Sequence, residues 1–239
     1  APHAAPDAVP TLVDPALLPR ALFADTVCLE VRDSASSGGV ALRGHTSAAP
    51  AGAAAARWEL GWKHRSRLPR GTLEDVARAL HTHYALHGVR TVVLHAEDGN
   101  VQDVGDVLPL LAPLAHVRAF RSETWGTRTL CALAAPAMHA WWRGVEAAEV
   151  LVSACEPGLP AVLEALGAAA GAAKAMRTLD ITFRMSRLAE IDAALVRDMV
   201  SRVRRNGVAV SCRRVSPYQV CGTADSGESF EPRTAANTA

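Results

Sequence analysis

A short apolar segment with β-sheet character returns seven times along this chain of 239 residues. The starts of consecutive segments are separated by 31, 32, 27, 31, 29 and 32 residues. A nearly fixed period between about 20 and 50 residues is typical of repeat proteins, in which each unit packs mainly against its neighbours. The spacing therefore predicts about seven strand–helix units. The segments are Thr26–Arg32, Arg57–Lys63, Val89–Ala96, His116–Ser122, Ala147–Ala154, Met176–Phe183 and Val208–Arg213.

Helical patterns occupy most of the intervals between these segments. Pro160–Ala175 is rich in strong helix formers. Leu188–Arg205 carries an apolar stripe with a period near 3.6 and ends at Asn206-Gly207, a pair typical of a helix C-terminus. Strands that alternate with helices pair in parallel through right-handed crossovers. The sequence therefore predicts an α/β fold with a mainly parallel sheet.

Alternation within the strands indicates on which side of the sheet the helices lie. In Met176–Phe183, the apolar Leu179 and Ile181 alternate with Thr178, Asp180 and Thr182. A strand buried on both faces has a continuous apolar run, whereas a half-exposed strand alternates. This pattern predicts helices on one side of the sheet and a solvated opposite face. The alternative is a doubly wound sheet with helices on both faces.

The fourth segment, His116–Ser122, fits two registers. Either Val117 and Ala119 or Phe120 and Ser122 face the core. Both arrangements alternate with a period of two, so the sequence leaves this choice open.

Three segments resemble the LxxLxL core of leucine-rich repeats: Val89-x-x-Val92-x-Leu94, Ala147-x-x-Val150-x-Val152 and Met176-x-x-Leu179-x-Ile181. The spacing of 27 to 32 residues is similar to that of the ribonuclease-inhibitor type, and the resemblance covers about residues 20–215. It implies a curved solenoid with its strands on a concave face that recognises other proteins. The chain departs from the family pattern because valine and alanine stand where leucine is expected.

Composition limits the classes of partner and compartment. Lys and Arg number 25 against 24 Asp and Glu, so the net charge of +1 does not call for nucleic acid or an anionic membrane. Five cysteines without a CxxC pair predict reduced thiols in an intracellular compartment. The most apolar stretch, Leu159–Met176, is interrupted by Glu164 and Lys174 and is too short to span a bilayer.

The two ends of the chain differ in composition from its centre. Residues 1–20 are rich in Pro and Ala, and residues 216–239 are polar, so both are predicted to be arms that flank a repeat domain over 21–215. One interpretation of a chain that begins at Ala1 is removal of a targeting peptide, which predicts import into the mitochondrial matrix. Ordinary methionine removal is the alternative.

The loop Asp33–Gly39 is the one place where a phosphate-binding loop would stand, because it follows the first β segment. It matches neither GxGxxG nor GxxxxGK[ST]. The rival hypothesis to a repeat protein is an α/β enzyme with a degenerate nucleotide or phosphate loop. Its binding residues would be Ser36, Ser37, Gly38 and Gly39.

No other pattern indicates catalysis. His83 and His87 have the i, i+4 spacing of metal ligands, but no third ligand is identifiable in the sequence. There is no GxSxG nucleophile elbow, and no cysteine lies in a motif that would activate it. We therefore predict a protein without catalytic residues, cofactor or metal.

Trp141-Trp142-Arg143 is the densest cluster of aromatic and arginine side chains. Two adjacent residues of a helix point in different directions, so at least part of this cluster is expected to be exposed. Trp and Arg are enriched among the anchors of protein interfaces, which makes the cluster a candidate contact site.

The solvated sheet face supplies the other candidate contacts. They are Thr178, Asp180 and Thr182, together with His95, expected to lie beside Asp180 or Arg118. These residues and the tryptophan cluster favour a non-catalytic scaffold or accessory subunit that binds other proteins in a larger assembly. A respiratory complex, ATP synthase or a ribosome would be natural assemblies of this kind.

A third hypothesis is an RNA-associated subunit, since five arginines lie close together in the sequence near the end of the repeat domain. A basic patch of this kind would contact phosphates. The residues are Arg202, Arg204, Arg205, Arg213 and Arg214.

Overall fold

The computed structural model places nine strands in one sheet, in the order β3-β2-β1-β4-β5-β6-β7-β8-β9. It describes residues 21, 23–34, 39–47, 56–62, 81, 86–96, 111–123, 132–153, 159–184, 193–215 and 228–229. The strands are β1 (Cys28–Ser34), β2 (Gly39–His45), β3 (Trp58–Trp62), β4 (Thr91–Ala96), β5 (Ala119–Glu123), β6 (Ala147–Ser153), β7 (Thr178–Arg184), β8 (Ala209–Val215) and β9 (Glu228–Ser229). The described helices are α1 (His139–Trp142), α2 (Leu159–Ala172) and α3 (Ala193–Arg205), with 3-10 turns at Leu86–Gly88 and Pro136–Met138.

The six strands β1 and β4 to β8 are parallel, and each lies next to its predecessor in this series. In general, crossovers that keep the right-handed sense and always step in one direction lie on a single face of the sheet. A doubly wound sheet needs a reversal of direction, and the described strands contain none. The predicted α/β class with a mainly parallel sheet is confirmed.

The prediction of seven equivalent units is wrong at its second segment. β3, which falls within that segment, pairs antiparallel with β2, and β2 pairs antiparallel with β1. The two strands form the edge of the sheet outside the parallel series. β2 was not predicted because GVALRGH contains two glycines and an alanine, which have low β propensity. Pairing with a strand on each side holds it in place.

The two faces of the sheet differ as the alternation predicts. Leu179 and Ile181 of β7 are buried in one apolar core together with Val162 of α2 and Met199 of α3. Thr178, on the opposite face, is exposed. The described helices therefore cover one face. The apolar positions of the strands pack beneath them.

The register of β5 resolves the ambiguity at His116–Ser122. Phe120 and Ser122 face the helices and are buried, whereas Ala119 lies on the opposite face. The Ser122 hydroxyl is buried and has no hydrogen-bond partner among the residues that the structure describes.

The repeat motif of the fifth segment is displaced by two residues from its sequence assignment. Ala148 pairs with Leu179. The position equivalent to Met176 is therefore Val145, which is fully buried, and not the half-buried Ala147.

The helices agree in part with their sequence patterns. α2 matches the predicted Pro160–Ala175, and α3 ends before Gly207, whose φ of +80° favours glycine. Between Ala132 and Trp142 the helical structure is divided where Pro136 begins a 3-10 turn. The arms at 1–20 and 216–239 lie outside the described residues except for Glu228–Ser229, which pairs antiparallel with β8.

Candidate protein-interaction site

We call the sheet face opposite the helices the open face. A continuous row of mainly charged side chains crosses eight strands of it, because residues paired across parallel or antiparallel strands lie on the same face. Neighbouring members are separated by about 4.8 Å, the spacing of adjacent strands. In order from β3 to β8 the row contains Glu59, Arg43, Glu30, Val93, Arg121, Glu149, Asp180 and Ser211.

Several neighbours along this row form ion pairs or hydrogen bonds, although Glu149 and Asp180 are adjacent carboxylates. Arg43 Nε donates to Glu59 Oε2 at 2.8 Å, and Arg121 Nε lies 3.3 Å from Glu149 Oε2. The Ser211 hydroxyl donates to the Asp180 carboxylate. Cross-strand pairs of this kind each contribute about 0.2–1 kcal/mol to sheet stability.

A buried cluster occupies the β1–β2 part of the open face. The side chains of Glu30 and His45 are only 7% and 6% exposed, and His45 Nε2 lies 3.0 Å from Glu30 Oε2. Arg32 Nε donates to Glu30 Oε1 at 2.6 Å. Burial alone would raise the pKa of Glu30, but the hydrogen bonds from Arg32 and His45 outweigh it and lower the pKa below its ordinary value of 4.5. The carboxylate is therefore ionised at neutral pH.

Replacing Glu30 by glutamine is expected to lower the free energy of unfolding by about 2 kcal/mol at pH 7, because Arg32 and the buried His45 lose their anionic partner. A carboxyl group whose pKa is lower in the folded state than in the unfolded state stabilises the folded protein at pH values above the unfolded pKa. For Glu30, this stabilisation is therefore lost as the pH falls below about 4.5. Urea titrations from pH 7 to pH 3 would measure it. Equal acid sensitivity of wild type and Glu30→Gln would contradict the assignment.

Exposure divides the open face into two parts. Cys28, Glu30 and His45, with Thr91 and Val93 of the next strand, are buried. Over β5 to β8 the face is accessible, with the Arg121 and Glu149 side chains 49% and 54% exposed. We call this second part the exposed half. Its polar members among the described side chains are Arg121, Glu149, Thr178, Asp180, Thr182, Ser211 and Arg213.

The predicted contact residues of β7 lie together on the exposed half. Asp180 and Thr182 are partly exposed, and Arg213 Nε of β8 donates to Thr182 Oγ1 at 2.8 Å. Sequence reasoning did not select Arg121, Glu149 or Ser211 as contacts. The signal that could have found Arg121 and Glu149 is a charge flanked by core residues inside a β segment.

His95 does not lie beside Asp180 or Arg118. It is on the open face of β4, but two strands separate β4 from β7, which corresponds to about 14 Å. Arg118 precedes β5 and forms an ion pair with Glu146. His95 pairs in register with Glu123 at the far end of that strand. The three residues therefore do not form one site.

Part of the cluster Trp141-Trp142-Arg143 is exposed, but that part is Arg143 and neither of the tryptophans. Trp141 and Trp142 are only 5% and 2% exposed, and their rings lie 5.6 and 5.4 Å from Phe120 in edge-to-face contacts. Trp142 Nε1 donates to the Leu133 carbonyl at 2.8 Å. The short helix α1 ends at Trp142, and both indoles pack against the same phenyl ring and each other. Of the three residues, only Arg143 is exposed.

The rival phosphate site differs from the arrangement that such a loop requires. Ser36, Ser37 and Gly38 lie outside the described residues, but the flanking Ser34 and Gly39 pair across the antiparallel strands β1 and β2. A phosphate loop joins a strand to a helix N-terminus, whose dipole and N–H groups bind the anion. This loop joins two strands of a hairpin.

Among the described residues, the histidines form no metal site and the C-terminal arginines do not form a single patch. His83 lies outside the described residues, which contain no cluster of three metal-ligating side chains. Arg202, Arg204 and Arg205 belong to the last turns of α3, while Arg213 lies on the open face. Arg214 occupies the opposite register in β8, paired with Phe183. The predicted basic patch is therefore divided between two faces of the sheet.

Together the fold and the site define an α/β protein with a mainly parallel sheet and a polar face that the described helices leave open. No protein-family model matches the chain, and no curated protein or solved structure matches it significantly. None of the described helices has the length and apolar character needed to cross a membrane.

Proposed function

We propose that the protein is a non-catalytic scaffold or accessory subunit that binds other proteins through the exposed half of its sheet. The observation that carries this proposal is the accessible surface over β5 to β8, where seven described polar side chains project from the strands. Strands hold side chains in fixed positions, which lowers the entropic cost of binding. Arg121 and Arg213 are balanced by Glu149 and Asp180. This mixture is complementary to a mixed-charge protein surface rather than to a polyanion.

We propose further that the fold is a leucine-rich-repeat-like solenoid with the open face on its concave side. The spacing of equivalent buried positions supports it. Val89 to Val117 and Val117 to Val145 are 28 residues each, and Val145 to Met176 is 31. All four side chains are buried. Units of nearly equal length that always step in the same direction are what a solenoid requires.

The described cysteines are poorly suited to nucleophilic catalysis. Burial, reinforced by Glu30, raises the pKa of Cys28 to about 12. Burial also raises the pKa of Cys212 to about 11, with Arg204 opposing and Asp180 adding to the shift. The thiolate is the reactive form of cysteine, so both thiols are inert at neutral pH. This property is consistent with a binding protein.

Separation of the native protein by size, followed by mass spectrometry of what migrates with it, tests the function directly. A scaffold subunit is expected to migrate with a fixed set of other proteins, well above the 25.2 kDa of the chain alone. A free species of that mass would contradict the proposal.

Reversing two charges on the exposed half is expected to release the partner. In the variant Glu149→Arg/Asp180→Arg, both acidic members of the face become cationic beside Arg121 and Arg213. A matched control is Glu164→Arg/Asp198→Arg, which changes the net charge equally on the exposed surfaces of α2 and α3. Like-charge contacts across an interface cost several kcal/mol, so co-purification should be lost only in the first variant. Retention by both variants, with both folded by circular dichroism, would exclude this face as the contact surface.

A further inference from the structure

A second surface of opposite character lies at the amino ends of the parallel strands. The segments 86–90, 114–118, 142–146, 173–177 and 204–208 lead into β4, β5, β6, β7 and β8. Because these strands are adjacent, the segments lie side by side along one edge of the sheet. We call this surface the basic edge. Its Lys, Arg, Asp and Glu residues are Arg90, Arg118, Arg143, Glu146, Lys174, Arg177, Arg204 and Arg205.

Charge is strongly segregated onto the basic edge. It contains seven basic side chains and one acidic side chain, which give it a net charge of +6, whereas the whole chain has +1. The rest of the molecule therefore carries −5. At the entry to β1, Asp25 and Arg57 pair at 3.6 Å and add no net charge. Such a distribution creates a local positive potential that the overall composition conceals.

Three of the basic side chains have local structural partners. Arg90 donates to the His87 carbonyl at 3.0 Å, Arg118 pairs with Glu146, and Arg204 donates to the Val210 carbonyl at 3.1 Å. Cations near a helix C-terminus also complement its dipole, which accounts for part of the charge at the ends of α2 and α3. These interactions give Arg90, Arg118 and Arg204 a structural role but do not account for the other four basic side chains.

The remaining four cations are exposed and form no ion pair with any residue that the structure describes. They are Arg143, Lys174, Arg177 and Arg205. Neighbouring like charges repel one another, and this repulsion destabilises the isolated molecule. The arrangement is stabilised when an anionic group binds across it.

The geometry points to an extended acidic segment of a partner protein as the ligand of the basic edge. Five adjacent strands span about 19 Å, the length of about six residues of extended chain. The one acidic member of the edge, Glu146, is paired with Arg118 and therefore does not discriminate between a phosphate backbone and a carboxylate segment. Single-stranded RNA is usually bound by stacking on exposed aromatic rings, and none is found among the described side chains of this edge. A Glu- or Asp-rich segment needs only the arginine and lysine groups present.

This inference rests on the proposed scaffold function and adds the chemistry of one partner. It also assigns the two surfaces different roles. The exposed half binds a mixed-charge surface, and the basic edge binds an acidic segment of the same or another subunit.

The test measures binding of two labelled probes to the full chain by fluorescence anisotropy at low salt. One probe is a peptide of twelve residues with six glutamates, and the other is a single-stranded RNA with six phosphates. The edge variant is Arg143→Gln/Lys174→Gln/Arg177→Gln. The control variant, Arg197→Glu/Arg202→Gln, changes the net charge by the same −3 at exposed positions of α3 that belong to neither surface.

The wild type is expected to bind the glutamate peptide more tightly than the RNA, with an affinity that falls as salt is raised. The edge variant should bind the peptide about tenfold more weakly, while the control stays within about twofold of wild type. Absence of peptide binding, equal loss in both variants, or tighter binding of RNA would each overturn the inference. A wild type that binds the peptide but is isolated free of other subunits would contradict the scaffold function instead.

Discussion

Replacing Trp142 by alanine is expected to lower the free energy of unfolding by about 4 kcal/mol. The indole is almost fully buried against Phe120 and Trp141, and its removal leaves a cavity among rings that are held edge to face. The Leu133 carbonyl also loses the hydrogen bond from Trp142 Nε1. Urea denaturation followed by far-ultraviolet circular dichroism would measure the change.

This experiment also separates two roles for the cluster Trp141-Trp142-Arg143. A surface anchor would leave stability unchanged on truncation and reduce only partner binding. The neighbouring variant Arg143→Ala is the control, since Arg143 is exposed and its truncation should change stability by less than about 0.5 kcal/mol. If Trp142→Ala has the same urea midpoint of unfolding as the wild type, Trp142 is not packed in an aromatic core around Phe120.

Gly44→Val is expected to lower the free energy of unfolding by about 3 kcal/mol, the second-largest effect after that of Trp142→Ala. A Cβ atom on Gly44 would overlap the indole of Trp58, its neighbour across β2 and β3. The indole cannot move without cost because Trp58 Nε1 donates to Thr26 Oγ1 at 2.9 Å and the ring packs 4.8 Å from Phe23. Displacement would leave the buried Thr26 hydroxyl without this partner.

Gly61 provides a matched control in the adjacent strand. A Cβ atom there meets nothing within 4 Å, and the residue is exposed. Gly61→Val should therefore be neutral or slightly stabilising, because valine has the higher β propensity. The same denaturation measurement applies to both variants. Equal stability of Gly44→Val and Gly61→Val would contradict the close packing of Trp58 over β2.

The Gly44–Trp58 contact and the aromatic cluster around Phe120 support different parts of the open face. Trp58 and Gly44 join the antiparallel edge to β1, where the open face is buried. The cluster around Phe120 lies under β5, where the exposed half begins. A partner that binds the exposed half therefore contacts strands whose positions depend on the aromatic core beneath them.

The local patterns of the sequence predicted much of the parallel part of the fold. α2, α3 and the strands β4 to β8 follow from helical propensity, the 3.6-residue stripe and period-two alternation, which are properties of single segments. The polar character of Thr178, Asp180 and Thr182 likewise placed them on the solvated face before any pairing was known. These features are local because each depends only on residues a few positions apart.

Only the tertiary structure decided the rest, since it depends on contacts between residues distant in sequence. β2 exists because β1 and β3 pair with it, despite a sequence of low β propensity. The Phe120 register and the burial of both tryptophans depend on one another through packing. The basic edge combines charges from five loops spread over more than a hundred residues, so a net charge of +1 gave no sign of it. Periodicity determined which way most segments face, packing decided the orientation of β5, and strand order determined which side chains share a surface.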